Sequence, residues 1–356
     1  MGFEIDFLPV GEESQSGDAI ALRYGDLTPG RENQRVIVVD GGFADVGPRL
    51  VQHVKDYYHT NRVDIVVSTH PDQDHISGLL VVLDEMEVGQ LWMHLPWKHS
   101  EDLASGSKSA RRSALSETLQ KSLAGAEDLE ALARKKGVPI VEPFSPFSSD
   151  DGYFTVLGPT IDFYEQLLSE IEPQQAIGAR IAALLAKAIR FVYETLQHET
   201  LTDDGQTSPQ NNSSTICLLH CDGRMGLFTG DAGIPALEQA IGRLEAIGYS
   251  PGQMSFVQVP HHGSRRNVGP NVLDRLLGPT GRQETQGEAL VCAARKGEPK
   301  HPSKKVTNAF LRRGYKVYAT RGRCLLNHHA APPRLGWTAA QPLPFYDQVE
   351  QDEDET

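Results

Sequence analysis

Apolar and polar positions along the first ninety residues predict strands separated by turns. Ile5–Val10 alternates, Ala19–Tyr24 is a short apolar run, and Val36–Val39 is continuously apolar before Asp40 and the pair Gly41-Gly42. Between Val46 and Tyr58 the period changes: Val46, Leu50, Val51, Val54 and Tyr58 recur at helical spacing. Val63–Ser68 returns to a buried strand that runs straight into His70. Strand, helix, strand at this spacing predicts a layered α/β domain.

The middle of the chain reads differently. Ala104–Lys136 has helical periodicity, and Pro139–Thr160 carries proline and glycine around short strands such as Phe154–Leu157. Ile161–Leu196 is again helical, with Ile181, Leu184, Leu185, Ala188, Ile189 and Val192 on one apolar stripe of the packing kind. Thr202–Asn212 is a polar loop. Strands resume at Thr215–His220, Met225–Thr229, Phe256–Val259, Leu290–Ala293 and Lys316–Thr320, with helices at Pro235–Ile247, Val272–Leu277 and Ser303–Arg313. The tail Asp347–Thr356 is acidic and predicted to be disordered. The expected organisation is a domain in two halves, residues 1–98 and 211–340, split by a mainly helical insertion over 99–210 and followed by an acidic tail, 341–356.

Composition narrows the class. The 356 residues are 39% hydrophobic and 23% charged, as in a folded globular protein. No apolar run approaches the ~20 residues of a membrane helix, and the N-terminus carries acids where a signal peptide carries lysines. Asp6 stands where a myristoylation signal needs Ser or Thr. The expectation is a cytoplasmic protein with no membrane partner. Cys217, Cys221, Cys292 and Cys324 lack CxxC spacing and read as buried thiols in a reducing compartment. The net charge of −13 gives no general footprint for a nucleic-acid backbone. The basic residues Arg265-Arg266, Lys304-Lys305, Arg312-Arg313, Arg321 and Arg323 could still form a local patch near the last histidine motifs.

The chemistry concentrates in one loop. His70, Asp72, Asp74 and His75 follow a buried strand directly, and a loop leaving a strand end can turn several side chains onto one point. So many ligand types so close together suit two adjacent metal ions better than one.

This run resembles the metallo-β-lactamase superfamily, whose signature is His-x-His-x-Asp-His at a strand end. Here Asp72 takes the place of the second histidine, and Ile76-Ser77-Gly78-Leu79 follows. That variant resembles the branch containing the metallohydrolase domain of the DNA-uptake protein ComEC. Phe7–Gly11 with Gly17–Ile20, Val39–Gly42, Leu227–Ala232, Val259–Ser264 and His301-Pro302-Ser303 match further blocks of that branch in order, with Lys300 replacing a glycine. The match covers residues 1–98 and 211–320 and not the insertion between them.

The resemblance implies a four-layer αββα fold and a hydrolase with two divalent ions, zinc or manganese. It makes Asp231 the carboxylate bridging both ions. His70 and Asp72 are assigned to one ion, and Asp74 and His75 to the other. His261 and His262 close the second site, one as ligand and one reaching the substrate or leaving group. Asp74, His261 and His262 are thereby the candidate catalytic residues, and His301 competes for the last ligand position.

Two departures matter. Where many relatives carry a third histidine for the first ion, this chain has Asn211-Asn212-Ser213-Ser214, so Asn212 is the remaining candidate. Asp72 also makes the first site oxygen-rich, favouring manganese or other hard ions over strict zinc. Two ions sharing a carboxylate activate water and stabilise charge on attacked and departing oxygens. The expected activity is that of a phosphodiesterase or nuclease acting on DNA or RNA, with Arg265 and Lys304 as phosphate contacts. The acidic balance keeps a small phosphodiester or ester as an alternative. A metal-binding interaction module with little turnover is a third, its partner protein or second copy docking through the helical insertion.

Overall fold

A computed structural model describes residues 1–13, 15–28, 33–100, 115–171, 191–282, 284–296 and 301–350. Two seven-stranded sheets dominate it. The first runs, in spatial order, Leu325–His329, Gly2–Phe7, Ala19–Asp26, Asn33–Gly41, Arg62–Val67, Glu87–Trp92 and Ile140–Val141. The second runs Tyr315–Ala319, Gly287–Val291, Met254–Gln258, Arg224–Phe228, Ile216–Cys221, Phe154–Gly158 and Phe147–Ser148. Each is parallel over part of its width and antiparallel over the rest.

The strands are apolar on both faces because both faces are covered. Ile37 and Val39 point between the sheets, against Phe154, Phe228 and Phe256, while Val36 and Val38 point outward to helices. Helices Gly47–Tyr58, Leu79–Glu85 and Glu117–Lys136 cover the first sheet. Ile234–Ala246, Pro270–Leu277 and Lys304–Arg312 cover the second. The result is helix, sheet, sheet, helix, as expected. Each fully buried Leu, Val or Phe contributes about 1.5–3 kcal/mol, so covering both faces of the sheets is a main source of their stability.

The middle and the tail depart from their predictions. The short strands expected within Pro139–Thr160 are present, but they join the two main sheets, Ile140–Val141 the first and Phe147–Ser148 with Phe154–Gly158 the second. Of Ala104–Lys136, the described helix is Glu117–Lys136, capped by Ser116 Oγ on the Leu119 N–H and ended by Gly137 at φ +71°. Of Ile161–Leu196, Ile161–Ser169 is helical, whereas Phe191–Tyr193 is a strand. The stripe from Ile181 to Ile189 lies outside the described residues. The tail is ordered at Gln348–Glu350, which pairs with Phe191–Tyr193. Acidic composition did not predict this, because buried Val349 and the Glu350 bond to the Lys304 N–H anchor the strand locally. Residues 351–356 lie outside the described set. Among the described residues no helix is long and apolar enough to cross a membrane.

Candidate metal centre

The ligand loop leaves the C-terminal end of Arg62–Val67 and turns into the short helix Gln73–Ile76. Close backbone contact holds the turn. A Cβ on Gly78 would lie 2.0 Å from the Gly41 oxygen, and one on Gly17 would lie 2.3 Å from the Asp74 oxygen. Asp231 follows the end of Arg224–Phe228, and its N–H is bonded by Ser214 Oγ at 3.2 Å. Thr229-Gly230 makes the connection, with Gly230 at φ +50° and only 3.0 Å of room beside Thr69. His261 and His262 occupy a single tight turn in left-handed backbone, φ 47° and 56°. Such conformations cost of order 1–3 kcal/mol each and persist only where the surrounding structure holds them in place.

These elements converge on the two oxygens of Asp231. Its Oδ2 faces His70 Nε2 at 3.8 Å and His261 Nε2 at 3.5 Å. Its Oδ1 faces His75 Nε2 at 3.4 Å and His262 Nε2 at 4.0 Å. Asp72 Oδ2 stands 3.6 Å from His70 Nε2, on the first side. Asp74 Oδ2 stands 3.7 Å from His75 Nε2 and 3.6 Å from His262 Nε2, on the second. One carboxylate therefore separates two groups of ligand atoms. The side chains of Asp72, Asp74 and His261 are 30%, 27% and 32% exposed, so that side of the cluster faces solvent.

Hydrogen bonds on the far side of the rings fix which nitrogen is free. Asp40 Oδ2 accepts from His75 Nδ1 at 2.8 Å and from the Thr69 hydroxyl at 2.7 Å. That hydroxyl has spent its hydrogen, so it accepts from His70 Nδ1 at 3.0 Å. One buried carboxylate thus leaves both Nε2 lone pairs pointing inward. Asn267 does the same for His261. Its Nδ2 donates to the Asp231 and Ala232 carbonyls, at 2.8 and 3.2 Å, so its oxygen meets His261 Nδ1 at 3.1 Å. The Asn211 Nδ2 lies 3.0 Å from the same nitrogen, and the Asn211 oxygen accepts from the Ser208 hydroxyl at 2.9 Å. Asp18 Oδ1 stands 3.5 Å from His262 Nδ1, and Asp18 is held by Gln258 Nε2 at 2.7 Å.

The donor set fits divalent metal. The Nε2 atoms of His70, His75 and His262 and Oδ1 of Asp231 are buried without a hydrogen-bond partner, an arrangement proteins avoid unless something else satisfies it. Electrostatics agree. Burial opposes charge on His262, but Asp231, Asp18 and Asp74 outweigh it and raise the ring to about 10. Burial also opposes charge on Asp231, yet the surrounding histidines hold it well below the usual carboxylate range. The cluster attracts a cation.

A family model described as the metallo-beta-lactamase superfamily matches residues 31–281, more than two thirds of the chain. The chain belongs to the metallo-β-lactamase superfamily. The search of curated proteins found no match. Solved structures similar to this superfamily member include the CmlA beta-hydroxylase E377D mutant, at 13% identity and a TM-score of 0.44, covering 92% of this chain and 53% of that one. A long form RNase Z from yeast gives 10% identity and 0.41, covering 91% and 41%. A metallo-beta-lactamase with a HARLDQ motif from Cronobacter sakazakii gives 11% and 0.33, covering 67% and 75%. Likenesses this distant carry no argument about its substrate.

The structure brings His70, Asp72, Asp74, His75, Asp231, His261 and His262 together. It separates the two histidines that the sequence assigned to one site: His261 faces the His70 side and His262 the His75 side. Asn212 is turned elsewhere, its oxygen accepting the Gly233 N–H at 3.1 Å and its Nδ2 donating to the Thr207 carbonyl at 3.3 Å. The His301 ring lies 6.3 Å from those of His261 and His262. Like Asp72 and His261, it belongs to none of the described groups whose ligand atoms all lie within 4.8 Å of one another. The basic patch is reduced. Arg312 pairs with Glu194 at 3.0 Å, Arg313 with Glu199 at 2.9 Å, and Lys305 donates to the Thr200 carbonyl. Arg265 is half-buried and Arg266 exposed beside the double-histidine turn, and Lys304 opens the helix after Ser303. Sequence reasoning assigned no role to Asp18, Asp40 or Asn267. The signal for the first two was their place in matched motifs; Asn267 carried none.

Proposed function

We propose that this chain is a metal-dependent phosphodiesterase or nuclease with a dinuclear centre of zinc or manganese ions sharing Asp231. The supporting observation is the division of ligand atoms between the two Asp231 oxygens. In this reading His70, Asp72, His261 and Asp231 would hold the first ion, and Asp74, His75, His262 and Asp231 the second. His261 then fills the place left by the missing third histidine. Such a pair supplies Lewis acidity toward the attacked ester and activates water at neutral pH. Asp40 keeps the His70 and His75 lone pairs directed at the ions, and Asn267 does so for His261. The substrate approaches from the open side at Asp72, Asp74 and His261, with Arg265 and Lys304 as phosphate contacts. Asp72 shifts the first site toward harder ions such as manganese.

Within this reading a small phosphodiester is favoured over a polymer. Lys305, Arg312 and Arg313 are committed to internal partners, and the chain carries a net −13. The test is incubation with bis-p-nitrophenyl phosphate, single-stranded DNA, duplex DNA and RNA, each with Mn²⁺ or Zn²⁺. Metal-dependent cleavage that disappears in the Asp74→Ala/His75→Ala double variant supports the reading. Cleavage of the small ester alone removes the nuclease. Metal binding without hydrolysis of any substrate replaces the enzyme with an interaction module.

A further inference from the structure

The helix Glu117–Lys136 turns Leu119, Leu123, Ala126, Leu129 and Ala133 toward the domain, and one polar residue, Ser122, interrupts that stripe. Ser122 is fully buried, so its hydroxyl needs a partner. Two acceptors lie 3.1 Å from its Oγ, the Thr118 carbonyl and Asp72 Oδ1. The Thr118 carbonyl already serves the helical N–H four residues on, whereas a carboxylate makes the stronger, charge-assisted bond. The hydrogen goes to Asp72.

Asp72 itself supplies a second observation. It stands at the N-cap of Gln73–Ile76, where an aspartate ordinarily accepts from the first-turn N–H groups. Here it makes no such bond. One oxygen is directed to the His70 side at 3.6 Å and the other to Ser122. The helix packs on the ligand loop beside this point, where a Cβ on Gly125 would make an ordinary 3.4 Å contact with Ile76 Cγ2.

We infer that Ser122 is a positioning residue of the first metal subsite, holding Asp72 so that Oδ2 is presented to the ion. The inference rests on the two-ion reading above. An aspartate in a histidine's place is short and can rotate, and the hydroxyl removes that freedom. The helix from the middle of the chain is then part of the centre.

The test titrates the full chain with Mn²⁺, following unbound Mn²⁺ by electron paramagnetic resonance, for wild type, Ser122→Ala, Asp72→Ala and the double variant. Alanine is the strongest helix former, so Ser122→Ala keeps the helix; a thermal melt of the metal-free protein checks this. Wild type binds two ions. Ser122→Ala weakens one of them by about tenfold or more and leaves the other unchanged. In the Asp72→Ala background the same substitution adds nothing, since its effect runs through Asp72. Wild-type affinities for both ions in Ser122→Ala overturn the inference, as does an equal loss in both backgrounds. A wild-type protein that binds fewer than two ions overturns the two-ion reading instead.

Discussion

Two of the buried clusters among the described residues mix carboxylates with basic groups, but in only one of the two do arginines neutralise the acids. In the first, Glu4 and Asp6 meet two guanidinium groups. Arg23 Nε reaches Glu4 at 2.5 Å, and Arg334 bonds both Asp6 oxygens at 2.6 and 2.8 Å and Glu4 at 3.1 Å. Arg334 is also stacked against Tyr57 and Trp337. Asp6, His53 and Cys324 bring ligand atoms within 4.8 Å of one another, just as His70, His75 and Asp231 do. The residue types alone would make both clusters metal sites. They differ in what already fills them. Arg334 supplies hydrogens to Asp6, whereas around Asp231 the neighbours offer inward lone pairs. Around Asp231 the outer hydrogen bonds take up the Nδ1 hydrogens of His70 and His75, and the remaining acceptors face one another.

The largest expected effect comes from removing the shared carboxylate. Asp231→Ala should lower metal-dependent hydrolysis by several kcal/mol of transition-state stabilisation, about a thousandfold or more. Steady-state assays on the small diester read it. Activity within tenfold of wild type would place the chemistry elsewhere.

Arg334→Met attacks the other cluster. It leaves Asp6 buried without its guanidinium partner, while Glu4 keeps Arg23, and should destabilise the fold by about 3–5 kcal/mol in urea unfolding, with metal affinity unchanged. A parallel loss of metal binding would erase the distinction between the clusters.

The smallest effect is in pH dependence. His262 is raised from an ordinary 6.5 to about 10, so its contribution to metal-free stability is full below 6.5 and is lost as pH climbs toward 10. Burial opposes charge on Asp6 too, but His53 and Arg334 outweigh it and depress its pKa. Its contribution is present above 3.8 and is lost as pH falls below that value. Urea melts across pH should show the alkaline loss without metal and its suppression with metal, while the acid loss follows Arg334. An alkaline loss that saturating metal leaves unaltered would contradict this assignment.

The layered fold was readable because both faces of each central strand are buried, so Val36–Val39 is apolar without interruption and Val63–Val67 is broken only by Asp64. His70 to His75 was readable for a similar reason, since one loop carries all of its ligands. Asp231, His261 and His262 were assigned through family resemblance. Asp40 was harder to place, because an aspartate ending an apolar run looks like any turn residue until Thr69 and His75 are seen to bond it. The basic pairs misled in the opposite way. Sequence displays the charge of Arg312 and Arg313, but their partners Glu194 and Glu199 lie 118 and 114 positions away. Ser122 looked like one more polar helix residue, and only its burial against Asp72 distinguishes it.

The central claim is that Asp231 divides one cluster into two ion sites. Counting bound Mn²⁺ or Zn²⁺ per chain by native mass spectrometry, in wild type and Asp231→Ala, tests it most directly. Two ions in wild type and loss of both in the variant is the predicted result. No bound ion in wild type, or two ions retained without Asp231, would contradict it.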